Sequence, residues 1–106
     1  MSTRARIGRR NADGSVTSIF LYFDGGPATV MTRLSDTYTV GRAVDVLLAG
    51  GDRQTMDRPA IGQPAAKASG SVADYLQHAR ECWAEHAYLF DGGCWWHRPL
   101  MTQALQ

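Results

Sequence analysis

The chain begins with two segments whose pattern of hydrophobic and polar residues is typical of β-strands. Within residues 3–8, arginines alternate with Ala5 and Ile7, and residues 16–23 form a dense run of β-branched and aromatic side chains. A period of two is typical of strands, and residues 11–14, which end in Asp-Gly, favour a turn. The pattern therefore predicts a β-hairpin. One face of its second strand holds Ile19, Leu21 and Phe23, and the other holds Ser18, Phe20 and Tyr22.

The pattern then changes to apolar residues repeated every three or four positions, which is typical of amphipathic helices. The first helix is predicted to begin at Pro27, because proline suits the first helical position, and to end near Tyr38. The second covers residues 40–49 and ends at a pair of glycines that stops it. The two helices are predicted to form a helical hairpin on the sheet.

The last third of the chain predicts a helix followed by a second hairpin. Ser71 is a suitable N-cap, and the apolar stripe that follows it extends to Trp83. Residues 87–90 and 94–97 are rich in aromatic residues and are predicted to be strands joined by the Asp-Gly-Gly turn at 91–93.

These elements predict an α+β fold with two layers. We expect the two β-hairpins to form an antiparallel sheet with about three helices packed mainly on one face. With 106 residues the chain has the length of one domain, which we assign to residues 1–106. Residues 52–70 are rich in proline, glycine and small residues and are predicted to be a mobile loop, and residues 99–106 a loose tail.

Net charge, the length of the apolar runs and the two cysteines limit the partners and the cellular location that we expect. The net charge is +1, but the first ten residues carry four arginines and no acid, which leaves a net charge near −3 on the remainder. A net charge of only +1 over the whole chain favours neither nucleic acid nor a membrane as partner. No apolar run approaches the ~18 residues of a membrane span, and no secretory leader is evident. We therefore expect a location in the cytoplasm, where Cys82 and Cys94 stay free thiols.

A resemblance adds an expectation about origin. The residues that carry it lie mainly in the first half of the chain: Ile7-Gly8, Asp13-Gly14-Ser15-Val16, Ile19, Phe23-Asp24-Gly25-Gly26-Pro27, Val30, Leu34, Tyr38, Val44, Leu47, Leu48, Gly51 and Asp52. In this pattern the chain resembles a group of small phage and prophage proteins, although it has Gly26 where they have tyrosine and Tyr22-Phe23 where they often have His-Trp. The resemblance implies a mobile-element origin, and small phage proteins of this size include anti-CRISPR inhibitors of host defence.

Five cysteine and histidine residues are candidate metal ligands, because His78, Cys82 and His86 recur every four positions and a hairpin with two more follows. The five are His78, Cys82, His86, Cys94 and His97. A four-residue step rotates by about 40° around an ideal helix, so three helical ligands fit one metal ion poorly. We favour the interpretation that Cys82 and His86 line the edge of the core and that no metal or other cofactor is bound. The chain also carries no local signature of a catalytic nucleophile, and we predict that it is not an enzyme.

The arginines and the aromatic residues of the two hairpins are the candidate partner-binding residues. Arginine and tryptophan dominate the energetics of many interfaces. Because adjacent strand residues point to opposite faces, only one residue of the pair Trp95 and Trp96 belongs to the core, and the sequence leaves open which one. The predicted set is Arg4, Arg6, Arg9, Arg10, Phe20, Tyr22, Trp95 and Trp96.

From these observations we expect a binding protein. The leading hypothesis is a phage or mobile-element protein that inhibits a host protein or ribonucleoprotein complex, of the anti-CRISPR or another anti-defence kind. A small accessory protein that binds nucleic acid through the N-terminal arginines is the first alternative. A zinc-stabilised interaction domain is the second. The oligomeric state is not predicted.

Overall fold

The computed structural model describes residues 3–62 and 64–100. Within these ranges the chain forms one sheet that is covered by helices on both faces. The strands are β1 (Ala5–Arg10), β2 (Val16–Leu21), β3 (Arg53–Thr55), β4 (Arg58–Pro59), β5 (Lys67–Ser69), β6 (His86–Asp91) and β7 (Cys94–Pro99). The helices are α1 (Pro27–Thr37), α2 (Gly41–Ala49) and α3 (Val72–Glu81).

The sheet has the strand order β4-β3-β2-β1-β6-β7, and β5 pairs with the same edge of β2 as β3 does. Both predicted hairpins are present, as the antiparallel pairs β1–β2 and β6–β7. The hairpins meet through β1 and β6, which run parallel. The α+β class is confirmed, but the sheet is mixed where we expected it to be antiparallel, because β1 pairs with β6, and β2 with β3, in parallel.

The helices divide between the two faces of the sheet, whereas we expected them mainly on one face. The α1/α2 face carries Ile7, Ile19 and Tyr88, which pack with residues of α1 and α2. The α3 face carries Phe20 and Ala87, which pack with residues of α3. The second face needs this cover because β2 and β6 also place Val16, Phe20, Ala87 and Leu89 on it, and these side chains are apolar. The domain therefore has three layers.

The three helices lie where their patterns predict them. Pro27 is the first residue of α1, Tyr38 is its C-cap, and α2 ends at its C-cap Gly50. At the start of α3 the side chain of Ser71 accepts a hydrogen bond from the backbone N–H of Asp74 at 3.1 Å. The predicted extension of the α3 stripe to Trp83 is wrong, because the helix ends at Glu81 and the backbone turns left-handed at Trp83 with φ 63°.

A tyrosine on α3 fixes the junction between the two hairpins. The buried Tyr75 hydroxyl lies 3.0 Å from the carbonyl oxygen of Arg6 on β1 and 2.7 Å from that of Tyr88 on β6. The approach depends on Gly8, because a Cβ at this position would lie 3.1 Å from Cζ of Tyr75 and 2.9 Å from Cγ1 of Val16. Burial also raises the pKa of the Tyr75 hydroxyl, which therefore stays protonated as a hydrogen-bond donor.

The segment predicted to be a mobile loop contains regular structure. Within residues 52–70, β3 and β5 pair with β2, and β4 pairs with β3. Met56 and Ala60 are buried there, and the side chain of Asp52 accepts a hydrogen bond from the backbone N–H of Phe20 at 2.8 Å. Strands of two or three residues have too little periodicity to be recognised in a sequence. In the predicted tail, Pro99 ends β7 and Leu100 is buried, and residues 101–106 lie outside the described residues.

Candidate functional site

The N-terminal arginines do not form one basic surface. Arg4 is exposed, while Arg9 forms an ion pair with Asp45 of α2. Arg10 forms one with Asp91, with 3.6 Å between nitrogen and oxygen. The side chains leave β1 toward different faces of the sheet because their sequence positions alternate. The predicted basic strand is therefore divided into two ion-paired arginines, one buried arginine and the exposed Arg4.

Arg6 is buried, with 4% of its surface exposed, and must be removed from the predicted partner-binding set. Its Nε donates to the hydroxyl of Ser18 at 3.0 Å and its Nη2 to the carbonyl oxygen of Ser18 at 3.2 Å. The guanidinium also lies 5.9 Å from the ring centre of Phe20 and 4.0 Å from the sulfur of Cys82. These contacts under α3 make Arg6 a structural residue that a partner cannot reach.

At the end of β2, the buried ring of Phe20 contacts the exposed ring of Tyr22, the first residue after the strand. Phe20 is buried and must also be removed from the partner-binding set. Tyr22, which is 38% exposed, packs edge-on against Phe20 with 4.7 Å between ring centres. The stack of Arg6, Phe20 and Tyr22 holds the exposed ring in place from below.

The tryptophan pair on β7 is divided as the alternation rule requires. Trp95 packs on the α1/α2 face, where its ring centre lies 5.2 Å from that of Phe90 and its indole N–H donates to the carbonyl oxygen of Tyr38 at 2.8 Å. Trp96 points to the α3 face and is 61% exposed. It lies beside an apolar groove of about 240 Å³ between α3 and β7. Trp96 is thus the member of the pair that a partner can reach.

A second apolar surface lies at the end of β2, and we call it the β2-end patch. Its exposed members are Tyr22, Phe23 and Ile61, which line a shallow depression of about 240 Å³ with Gln54 and Ala60. Ile61 is 92% exposed, the largest value among the exposed large apolar residues of the described ranges. Patches of adjacent exposed apolar residues commonly mark interaction sites.

Two backbone features build this patch. The strand β3 lies beside the end of β2, because the N–H groups of Tyr22 and Phe23 donate to carbonyl oxygens of β3 at 3.1 and 2.8 Å. Directly afterwards Asp24 adopts a left-handed conformation with φ 58°, which turns the chain beyond the end of β2, and Phe23 lies at the surface.

Sequence reasoning missed two members of the β2-end patch. Phe23 was assigned to the same face as Ile19 and Leu21, but β2 ends at Leu21. Ile61 is a large apolar residue in a stretch that also holds Pro59, Gly62 and Pro64, and this context is the signal that could have identified it.

Arg4 is an exposed cation near the β2-end patch. The last pair of the β1–β2 ladder is Ala5 with Leu21, and Arg4 and Tyr22 are the residues directly beyond that pair. The backbone carbonyl of Arg4 is fixed by the N–H of Glu85 at 2.8 Å. Of the predicted partner-binding residues, Arg4 and Tyr22 thus lie at the same end of the β1–β2 hairpin, and Trp96 lies on β7, the last strand on the other side of the sheet.

The candidate metal ligands are divided into two pairs and one separate residue. The sulfur of Cys82 lies 3.5 Å from Nε2 of His78, and Nδ1 of His86 lies 2.9 Å from Nε2 of His97. Cys94 is exposed at the turn of the second hairpin. Across the residues that the structure describes, no three histidine, cysteine or acidic side chains come together as a group that fits a metal ion.

The histidine pair titrates at low pH. Burial, and then the charge of His97, lower the pKa of His86 below its ordinary value, and burial lowers the pKa of His97. Both rings contact the buried Tyr88, with 5.1 Å between the ring centres of His97 and Tyr88. Near neutral pH the pair is therefore an uncharged hydrogen-bonded contact between β6 and β7.

Comparison with known proteins gives no relative: no family model, no curated protein and no solved structure matches the chain. The resemblance to small phage proteins therefore stays a prediction. None of the described helices is long and apolar enough to cross a membrane.

Proposed function

We propose that this protein binds and inhibits a host protein complex, and that the β2-end patch is its docking surface. The observation that carries the proposal is the grouping of Tyr22, Phe23 and Ile61, three exposed large apolar side chains, around one depression. Aromatic and large apolar residues in a central, desolvated position contribute most of the free energy of many interfaces. Arg4 at the side of the patch adds a charge that favours an acidic border on the partner.

The patch is well suited to binding because its parts are already held in place. Tyr22 rests on Phe20, which is itself packed against the hydrogen-bonded guanidinium of Arg6. The backbone of Phe23 is bonded to that of Gln54 on β3. A surface that is ordered before binding loses less conformational entropy when the partner docks.

The nucleic-acid alternative was based on the arginines of β1, and three of them are not free to bind phosphate. It required several free arginines along β1, whereas Arg6 is buried and Arg9 and Arg10 form ion pairs with acids. A phosphate path needs cations that are available to release counterions. We therefore favour a protein partner. The phage origin and the anti-CRISPR type of inhibition rest on the sequence resemblance alone, and they define which host complexes to test first.

The proposal is tested by capture from host lysate with a tagged protein, after nuclease treatment, followed by identification of the retained subunits. Ile61→Glu and Phe23→Ser are expected to weaken capture by at least about 30-fold, the effect of removing a strong interface contact. Val46→Glu is the matched control, because Val46 is an apolar residue of α2 that is 69% exposed. Its capture is expected to equal that of the wild-type chain.

Inhibition is measured separately on the captured complex, purified and assayed with and without the protein. The wild-type chain and Val46→Glu should reduce the activity of the complex, and Ile61→Glu should not. Equal capture by the wild-type chain and by both patch variants would show that the β2-end patch is not the docking surface. Capture without any loss of activity would contradict inhibition.

A further inference from the structure

The two edges of the sheet differ in how they are protected against pairing with another strand. On one side, β4 has two residues, one of them Pro59, and β5 has three residues, one of them Lys67. Short strands, proline and lysine are the usual means of blocking an edge. On the other side, β7 has six residues and carries the exposed Trp96 near its middle. The β7 edge is therefore the one that remains suited to strand addition.

The outward backbone groups of β7 belong to Trp95 and His97. Residues Asp91 and Cys94 flank the two-residue turn of the hairpin and form its first pair, so that Cys94, Trp96 and Arg98 bond to β6 and the intervening residues face outward. The hydrogen bond from the N–H of Leu100 to the carbonyl of Glu85, at 2.9 Å, follows the same alternation. Within the described part of the chain, no group bonds to the outward backbone groups of Trp95 and His97.

We infer that the β7 edge binds a second copy of this chain, through antiparallel pairing of β7 with β7 about a two-fold axis at Trp96. In this register Trp95 lies opposite His97 of the second copy, so that each residue finds both a donor and an acceptor for its outward groups. An edge of this kind is self-complementary, as a two-fold interface requires. Moving the axis to His97 would instead place Trp95 opposite Pro99, which has no N–H to offer.

The side chains on the α3 face fit the same register. The axis brings the two copies of Trp96 directly opposite each other, and aromatic pairs across strands are among the favourable ones. Both rings then lie over the apolar grooves that α3 and β7 form in each copy. Pairing thus removes the most exposed aromatic side chain of β7 from water.

Charge is also complementary in this arrangement. Arg98 is exposed and forms no ion pair with any described residue. In the pairing centred on Trp96 it faces Cys94 of the second copy, and the next residue across that sheet is Asp91 of the second copy. An arginine side chain spans that distance, so that Arg98 of each copy approaches Asp91 of the other, which it would share with Arg10.

A cross-linking experiment tests the register. Trp96→Cys, made together with Cys82→Ser and Cys94→Ser, places two thiols at the axis, where Cα atoms of a non-hydrogen-bonded pair lie about 4.5 Å apart, within the range of a disulfide. Oxidation is expected to give a disulfide-linked dimer. Arg98→Cys in the same background is the matched control, because it lies on the same strand and face but away from the axis, and it should stay unlinked.

Self-association of the unmodified chain is measured by sedimentation equilibrium. We expect a reversible monomer–dimer equilibrium, with a dissociation constant raised at least about 30-fold by Trp96→Glu, which places two carboxylates at the axis. Trp83→Glu is the control, because Trp83 is similarly exposed but lies after α3. In the wild-type chain, the amide protons of Trp95 and His97 should exchange more slowly as the protein concentration rises.

Three results would overturn the inference: a wild-type chain that is monomeric at its highest soluble concentration, a dimer that Trp96→Glu and Trp83→Glu weaken equally, or equal cross-linking at positions 96 and 98. These results are independent of the docking function, because Ile61→Glu changes neither β7 nor its neighbours. A chain that dimerises through β7 but captures no host complex would refute the proposed function and leave the present inference intact.

Discussion

Arg6 gives the clearest prediction for a single residue. It is buried and hydrogen-bonded to Ser18, and among the described residues it pairs with no carboxylate. Arg6→Glu would replace donors by acceptors opposite a carbonyl oxygen and bury a negative charge. We expect it to lower the free energy of unfolding by about 3 kcal/mol or more. Arg4→Glu, on an exposed neighbour, should change it by less than about 0.5 kcal/mol. Urea unfolding of both variants measures the difference, and equal stabilities would show that Arg6 is not buried.

The pair of His86 and His97 predicts a dependence of stability on pH. Burial keeps both pKa values below the ordinary 6.5, so the unfolded chain takes up protons first as the pH falls. Stability should be complete well above the ordinary histidine pKa of 6.5 and should decline as the pH falls below it, before most carboxylates are protonated. His97→Gln should make the decline shallower, because it removes one titrating ring and the charge that acts on the other. An unchanged decline in urea unfolding at several pH values would contradict this assignment.

For single residues, the alternation along a strand predicts which face of the sheet a side chain lies on, but not whether a helix covers that face. It correctly separated Trp95 from Trp96, because neighbouring strand residues must diverge. It also placed Arg6 on the face opposite Ala5 and Ile7, where we predicted contact with a partner. The face is covered by α3, whose position depends on contacts between distant parts of the chain. A local sequence pattern therefore could not predict that Arg6 is buried.

The contact between α3 and β1 gives a prediction for an element. At Gly8 a Cβ would lie 2.9 Å from Val16 and 3.1 Å from Tyr75, and both atoms belong to packed side chains. Gly8→Ala should therefore push α3 away from the sheet and lower the free energy of unfolding by about 1–3 kcal/mol. Gly26→Ala is the control, because Gly26 has a φ of −69° and a Cβ there would meet no atom within 4 Å. Thermal unfolding of the two variants should differ, and a stable Gly8→Ala chain would mean that the contact is looser than described.

The helices and both hairpins could be predicted because each has a signal within a few residues. Ser71 caps α3, Pro27 starts α1, and the Asp-Gly-Gly turn at 91–93 closes the second hairpin. The parallel pairing of β1 with β6 joins segments about eighty positions apart, and no local feature encodes it. The short strands β3–β5 were not predicted, because two or three residues are too few to show the period of a strand. The β2-end patch depends on β3, and so it was only partly foreseen.

For the whole molecule, the two proposed surfaces lie at opposite edges of one sheet. The β2-end patch lies beside β3, and β7 ends the sheet on the other side of β1. A dimer formed through β7 would leave both patches exposed and turned away from the axis. A partner complex with repeated subunits would then meet two docking surfaces at once, which raises apparent affinity without a new contact.

Pairing through β7 also links the stability of the fold to protein concentration. If only the folded chain dimerises, dimer formation stabilises the folded state. The free energy gained grows with the logarithm of the protein concentration once that concentration exceeds the dissociation constant of the dimer. The Tm of the wild-type chain should therefore rise with concentration, by a few degrees for each ~1 kcal/mol gained. Trp96→Glu should abolish the rise, because it blocks the dimer without touching the core, and Trp83→Glu should retain it. Scanning calorimetry over a wide range of concentrations measures this directly, and a wild-type Tm that does not depend on concentration would argue that the β7 edge stays unpaired.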